Sequence, residues 1–100
     1  MNKKELLRRG KKIYYYRDKK GHEIDFLITE KRKPKNLIQV AMDLDHPQVK
    51  EREIRSLSAA AALFDIRDCI ILTEDQKTEI KEGKLRIKVL PVWHWLIPSE

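Results

Sequence analysis

GHEIDFLITEKRKPKNLIQVA, residues 21–41, is the stretch from which the fold is read. Residues 22–29 alternate in the two-residue rhythm of a strand: Ile24, Phe26 and Ile28 fall on one face, Glu23, Asp25 and Leu27 on the other. Residues 30–36 form a charged connection containing Pro34. Residues 37–42 resume as a strand, with Gln39 and Ala41 on one face and Ile38 and Val40 on the other. Pairing of the two strands would bring Gln39 beside Asp25. An acid in the middle of an apolar strand requires a hydrogen-bond partner, a counter-charge or a cation.

Upstream, residues 13–17 form a tyrosine-rich strand. Residues 18–21 (Asp-Lys-Lys-Gly) supply a hairpin turn in which Gly21 takes positive φ. Residues 2–9 read as a short helix with Leu6 and Leu7 on its apolar side and Gly10 as its stop. Its abrupt start, without a capping signal, favours a fragment of a longer chain.

Downstream, Pro47 suits a first helical turn, with Asp45 or His46 as cap. The helix is expected to reach Phe64. Ile54, Leu57, Ala61 and Phe64 recur at helical spacing and are expected to face the core, whereas Lys50, Glu51, Arg52, Glu53 and Arg55 form a mainly solvated face. Residues 69–73, CIILT, are a continuous apolar run typical of a strand covered on both faces. Coming after a helix and a short turn, the run implies a right-handed crossover. Residues 78–81 and 85–90 flank Glu82-Gly83-Lys84, a second hairpin, and residues 92–97 form a short capping helix that buries part of Trp93 or Trp95. The resulting class is α/β with a mixed sheet, in the order αβββαβ plus a terminal hairpin and short helix.

One hundred residues with 41% hydrophobic content make a single domain, 1–100, with one modest core. No apolar run approaches the roughly 20 residues needed to span a bilayer. The first twelve residues lack the apolar centre of a secretory signal. Cys69 is the sole cysteine, which excludes an intramolecular disulfide and fits a reducing cytoplasm. Net charge is +6. Residues 1–20 carry nine basic and two acidic side chains, a net of +7, leaving −1 for the other eighty. Arg8, Arg9, Lys11, Lys12, Lys19 and Lys20 on this flank are candidate phosphate contacts. His22, His46 and His94 have no metal-site spacing with one another or with Cys69.

The stretches YYYRDKKGHEIDFLI (14–28), LIQVAMDL (37–44), KEREIRSL (50–57), ILT (71–73) and IKVLPVWHWL (87–96) resemble the C-terminal domain of a group of prokaryotic AAA-type ATPases. That domain is itself similar to the restriction-endonuclease-like, PD-(D/E)XK superfamily. The resemblance runs from about Arg9 to Ile97 and implies a restriction-endonuclease-like core. It also implies an ATPase module elsewhere in the parent chain as partner; no G-x-x-x-x-G-K-[ST] loop occurs in these residues.

By position, the resemblance puts Asp25 at the first-strand acid, Gln39 at the second acid and Ala41 at the catalytic lysine; Glu5 is a loose match to a helix acid. Phosphodiester hydrolysis on this scheme needs carboxylates to hold Mg²⁺ and a lysine to stabilise charge. Gln39 offers a carbonyl oxygen without charge and Ala41 offers nothing, so Asp25 and Gln39 are expected to hold a divalent ion only weakly. Asp43, Asp45, His46, Lys12 and Lys35 are the residues that would have to reach the site to rescue it. The leading expectation is a non-catalytic accessory domain that binds nucleic acid, such as DNA, or another protein, with no resident cofactor. The alternatives are a metal-dependent nuclease with a rearranged site, and a protein-interaction module that self-associates through its terminal hairpin.

Overall fold

The computed structural model describes residues 11–96. The expected helix at residues 2–9, with Glu5, Arg8 and Arg9, lies outside the described residues. Six strands form one mixed sheet: β1 (Lys11–Arg17), β2 (Glu23–Glu30), β3 (Lys33–Val40), β4 (Asp68–Thr73), β5 (Thr78–Glu82) and β6 (Leu85–Pro91). Helix α1 (Pro47–Phe64) joins β3 to β4, and α2 (Val92–Leu96) follows β6. The spatial order is β1-β2-β3-β4-β6-β5. The strands pair antiparallel from β1 to β3, parallel from β3 through β4 to β6, and antiparallel again at β5. A mixed sheet crossed by a helix is the expected α/β class. Among the described residues, no helix is long and apolar enough to cross a membrane.

The main core lies between α1 and the sheet. Leu57, Ala60 and Ala61 of α1 pack on Leu37, Cys69, Ile71, Ile87 and Val89, with Ile54 and Phe64 at its margin. Leu57 is wholly buried, which stabilises the fold by roughly 1.5–3 kcal/mol. Alanines at 60 and 61 keep the helix close to the sheet. The edge of Phe64 meets the ring of Tyr16 with centroids 5.1 Å apart, tying the end of α1 to β1. His46 is the helix N-cap but makes no side-chain capping bond; Pro47 starts the first turn. Ile28, Ile38 and Leu72 form a second cluster, with Phe26, Ile70 and Val92 packed against it. β4 therefore feeds both clusters, as its unbroken apolar run requires.

Two local departures shape the site. The first is a β-bulge. Tyr14 pairs with Leu27 and Tyr16 with Ile24, so Tyr15 alone stands opposite Asp25 and Phe26. Ile24 and Leu27 consequently reach the helix-side core, while Phe26 and Ile28 join the second cluster. The expected single face of Ile24, Phe26 and Ile28 is thus broken at Asp25, because the extra residue reverses the alternation.

The second departure is the β2–β3 connection. A long charged loop over residues 30–36 is expected from sequence, but β3 begins at Lys33 and pairs there with Glu30. Lys31 and Arg32 alone make the turn, with φ of 53° and 68°. Both angles are positive, as a tight hairpin turn of this twist requires, yet neither residue is glycine or asparagine. Holding an ordinary side chain there costs roughly 1–2 kcal/mol per residue. Pro34 is tolerated because β4 pairs with β3 only from Leu37 onward and the register shifts beside it.

Candidate functional site

Main-chain pairing between β2 and β3 stops at Phe26–Ile38, beside the bulge that β2 makes against β1 at Asp25 and Phe26. Side chains close the gap. The backbone N–H of Asp25 donates to Oε1 of Gln39 at 2.7 Å, and Nε2 of Gln39 donates to the carbonyl of Glu23 at 2.7 Å. In return, the N–H of Val40 donates to Oδ2 of Asp25 at 2.8 Å. Gln39 is only 3% exposed. Its carboxamide satisfies one donor and one acceptor of a neighbouring backbone, which the bulge would otherwise leave without partners.

Asp25 and Gln39 share a cleft of about 290 Å³ with Glu23, Val40, and Glu53 and Ser56 from α1. Sequence spacing thus brought the two β-strand residues together correctly. Ala41 is different: it is 9% exposed, packs in the helix-side core, and donates its N–H to Leu72 at 2.9 Å. The position that the resemblance gives to a lysine therefore sits beneath α1 and does not line the cleft.

Glu53 is the residue that sequence reading missed. It belonged to the charged stretch assigned to solvent, yet it is buried to 9% exposure. Its spacing carried the signal: positions 53, 57, 60 and 61 lie on one side of a helix, and the charge masked it. Burial pushes the Glu53 carboxyl above its ordinary value of 4.5, and the nearby Asp25 charge acts in the same direction. Arg52, whose Nε lies 3.6 Å from Glu53 Oε1, opposes that shift, as does a hydrogen bond with Gln39.

The residues proposed for rescue are placed elsewhere. Asp43 accepts the N–H of Asp45 at 2.8 Å, and Asp45 accepts from Gln76 Nε2 at 2.9 Å. His46 caps α1. Lys12 lies in a different cleft, toward the β2–β3 turn. The donor set around Asp25 fits Mg²⁺ poorly. One carboxylate oxygen is engaged by Val40, the amide oxygen of Gln39 is engaged by Asp25, and a small hard cation demands near-octahedral oxygen ligands. Among the described residues, no group of three or more His, Cys, Asp or Glu side chains gathers as a metal would need.

The basic flank divides in two. Lys19 and Lys20 line a cleft with Asp18, His22 and Leu63, at the far end of β1 from Lys12. Asp18 organises that turn: its Oδ1 accepts the N–H groups of Lys20 and His22, and its Oδ2 lies 2.8 Å from His22 Nδ1. The hydrogen bond from His22 chiefly holds the Asp18 carboxyl below the ordinary range. Lys11 opens β1.

A family model described as a domain of unknown function (DUF4143) matches residues 3–95. That domain is typically found in AAA-ATPase-associated proteins. No curated protein and no solved structure matches the chain.

Proposed function

From its match over residues 3–95, the chain belongs to the DUF4143 family, and on that premise we propose that it is a non-catalytic accessory domain of an AAA-type ATPase, with a restriction-endonuclease-like core that contacts nucleic acid or another protein. One observation carries this reading. Gln39, at the position where a nuclease needs a second acid, has both its carboxamide oxygen and its nitrogen bonded to the backbone of β2. It works as a structural clasp. Ala41, at the lysine position, supplies packing to the core. The domain retains the strand pair on which a hydrolytic site is built, without the charges that hydrolysis requires.

The test is incubation with single- and double-stranded DNA and RNA in Mg²⁺ or Mn²⁺. No cleavage is expected above that of an Asp25→Ala variant. Cleavage that disappears in Asp25→Ala defeats the proposal.

A second reading, a nuclease with a rearranged site, has Glu53 in its favour. It places a second carboxylate from α1 on the cleft that holds Asp25. That reading requires saturable Mn²⁺ binding at millimolar concentration or below, lost in both Asp25→Ala and Glu53→Gln.

A further inference from the structure

The β2–β3 turn joins two basic residues to an exposed aromatic ring. Lys31 and Arg32 line a cleft of about 430 Å³ together with Lys12, Tyr14, Leu27 and Thr29. Tyr14 is 47% exposed, so its ring is available to a ligand. Thr29 faces this cleft, so strand alternation turns its neighbour Glu30 to the other side of the sheet. Among the described residues, no acid lines the cleft, and Lys12, Lys31 and Arg32 are held in no ion pair.

The backbone of the turn gives an independent indication. An asparagine–glycine pair would satisfy the positive φ angles at less strain, but lysine and arginine occupy them. Strain retained in this way points to a use for the side chains it positions.

We propose that this cleft binds single-stranded nucleic acid, with Lys12, Lys31 and Arg32 on backbone phosphates and Tyr14 stacked on an unpaired base. The proposal deepens the accessory-domain reading and rests on its nucleic-acid arm. A single strand is favoured over a duplex because a base must present its face to Tyr14, and a paired base keeps that face in the stack. An aromatic ring among unpaired cations, with no acid to select a basic partner, matches the stacking-and-phosphate pattern of strand-binding proteins.

The experiment is fluorescence anisotropy of the full chain with labelled oligo-dT and oligo-U, and with a mixed duplex of equal length, from 50 to 200 mM KCl. The key variant is Lys31→Asn/Arg32→Gly, which removes two charges while relieving the turn. It is expected to melt at or above the wild-type temperature yet bind at least ten-fold more weakly. Its log–log salt slope should fall by about 1.4, the value for two lost phosphate contacts on a single strand. Tyr14→Ala is expected to lose roughly ten-fold, and Tyr14→Phe, which keeps the ring, to bind as wild type. Lys81→Gln/Lys84→Gln, at the opposite edge of the sheet, removes the same charge and is expected to leave affinity within two-fold.

Wild-type failure to bind either oligonucleotide overturns this inference and the nucleic-acid arm together. Salt-sensitive binding that survives in the turn and Tyr14 variants but is lost in Lys19→Gln/Lys20→Gln overturns the inference and spares the reading. Preference for the duplex, or for a poly-glutamate peptide, also overturns it.

Discussion

Replacing Gln39 by alanine separates a clasp from a ligand. The substitution strips partners from the Asp25 N–H and the Glu23 carbonyl, each bonded at 2.7 Å. The Asp25 N–H lies in a half-buried residue, and leaving it unsatisfied costs about 1.5 kcal/mol; the Glu23 carbonyl belongs to an exposed residue and regains some water, so about 1 kcal/mol is appropriate. Loss of one buried methylene adds about 0.8 kcal/mol. Together the expected destabilisation is about 3 kcal/mol, a large part of the roughly 5–15 kcal/mol that holds a domain folded. For a chain of 100 residues this lowers the melting temperature by about 12–24 °C. Urea unfolding followed by circular dichroism measures it, with an unchanged slope as evidence that the two end states are the same. Gln39→Leu, which fills the space but pairs with nothing, should lose about 2 kcal/mol. Asp25→Ala combined with Gln39→Ala should be non-additive by at least about 1 kcal/mol, because both side chains close the same gap. If Gln39→Ala stays within about 0.5 kcal/mol of wild type, the carboxamide is not structural and the clasp is wrong.

Three further outcomes follow from the titrating groups. Glu53 has a folded pKa raised above its ordinary value of 4.5, so its contribution is fully present below that ordinary value and is lost as pH rises through the raised folded one. The stability of Glu53→Gln relative to wild type should therefore increase from pH 4 to pH 7, and a flat difference in urea unfolding refutes the burial. Asp18 has a lowered folded pKa, so its contribution is present above the ordinary carboxylate range and is lost as pH falls through the folded value. Asp18→Asn should flatten the acid limb of the stability profile below the ordinary carboxylate value of 3.8, and an unchanged limb counts against the turn. Burial pushes the Cys69 thiol up to about 12, with the Asp68 charge adding to the shift. The folded chain should resist iodoacetamide at pH 8 and react only in urea; rapid native labelling contradicts the placement of β4.

The parts legible in sequence are those set by local pattern. The run at 69–73 required two covered faces, and Cys69, Ile71, Leu72 and Thr73 are all buried. Ile54, Leu57, Ala61 and Phe64 carried helical spacing, and they meet the core. Gly21, with φ of 87°, completes the Asp18 turn. The parts that were not legible depend on a neighbour. Nothing in HEIDFLI marks the bulge, because it exists only in the pairing of Asp25 and Phe26 with Tyr15. The Lys31–Arg32 turn lacks the glycine and asparagine that usually announce such a bend, and Pro34 concealed the first half of β3. Lys31 and Arg32 therefore carry no turn signal in the sequence, whereas Gly21 announces the turn that holds Lys19 and Lys20.

The departure at position 39 and the bulge at Asp25 belong together. The opened strands leave one donor, the Asp25 N–H, and one acceptor, the Glu23 carbonyl, facing the same side chain. A carboxamide offers an acceptor and a donor at one site, and so it can answer both. An ionised glutamate there would still accept from Asp25, but its second oxygen would confront the Glu23 carbonyl, acceptor against acceptor. It would also bring a fourth carboxylate to a cleft already lined by Glu23, Asp25 and a buried Glu53. Like charges in a half-buried space raise one another's pKa, so the new acid would tend to stay protonated and offer a cation less than its formal charge promises. The requirements for closing this bulge and for holding a divalent ion therefore oppose each other at one position. The sequence has taken the amide, and the alanine two residues on lets α1 settle onto the strand where a lysine would have needed room.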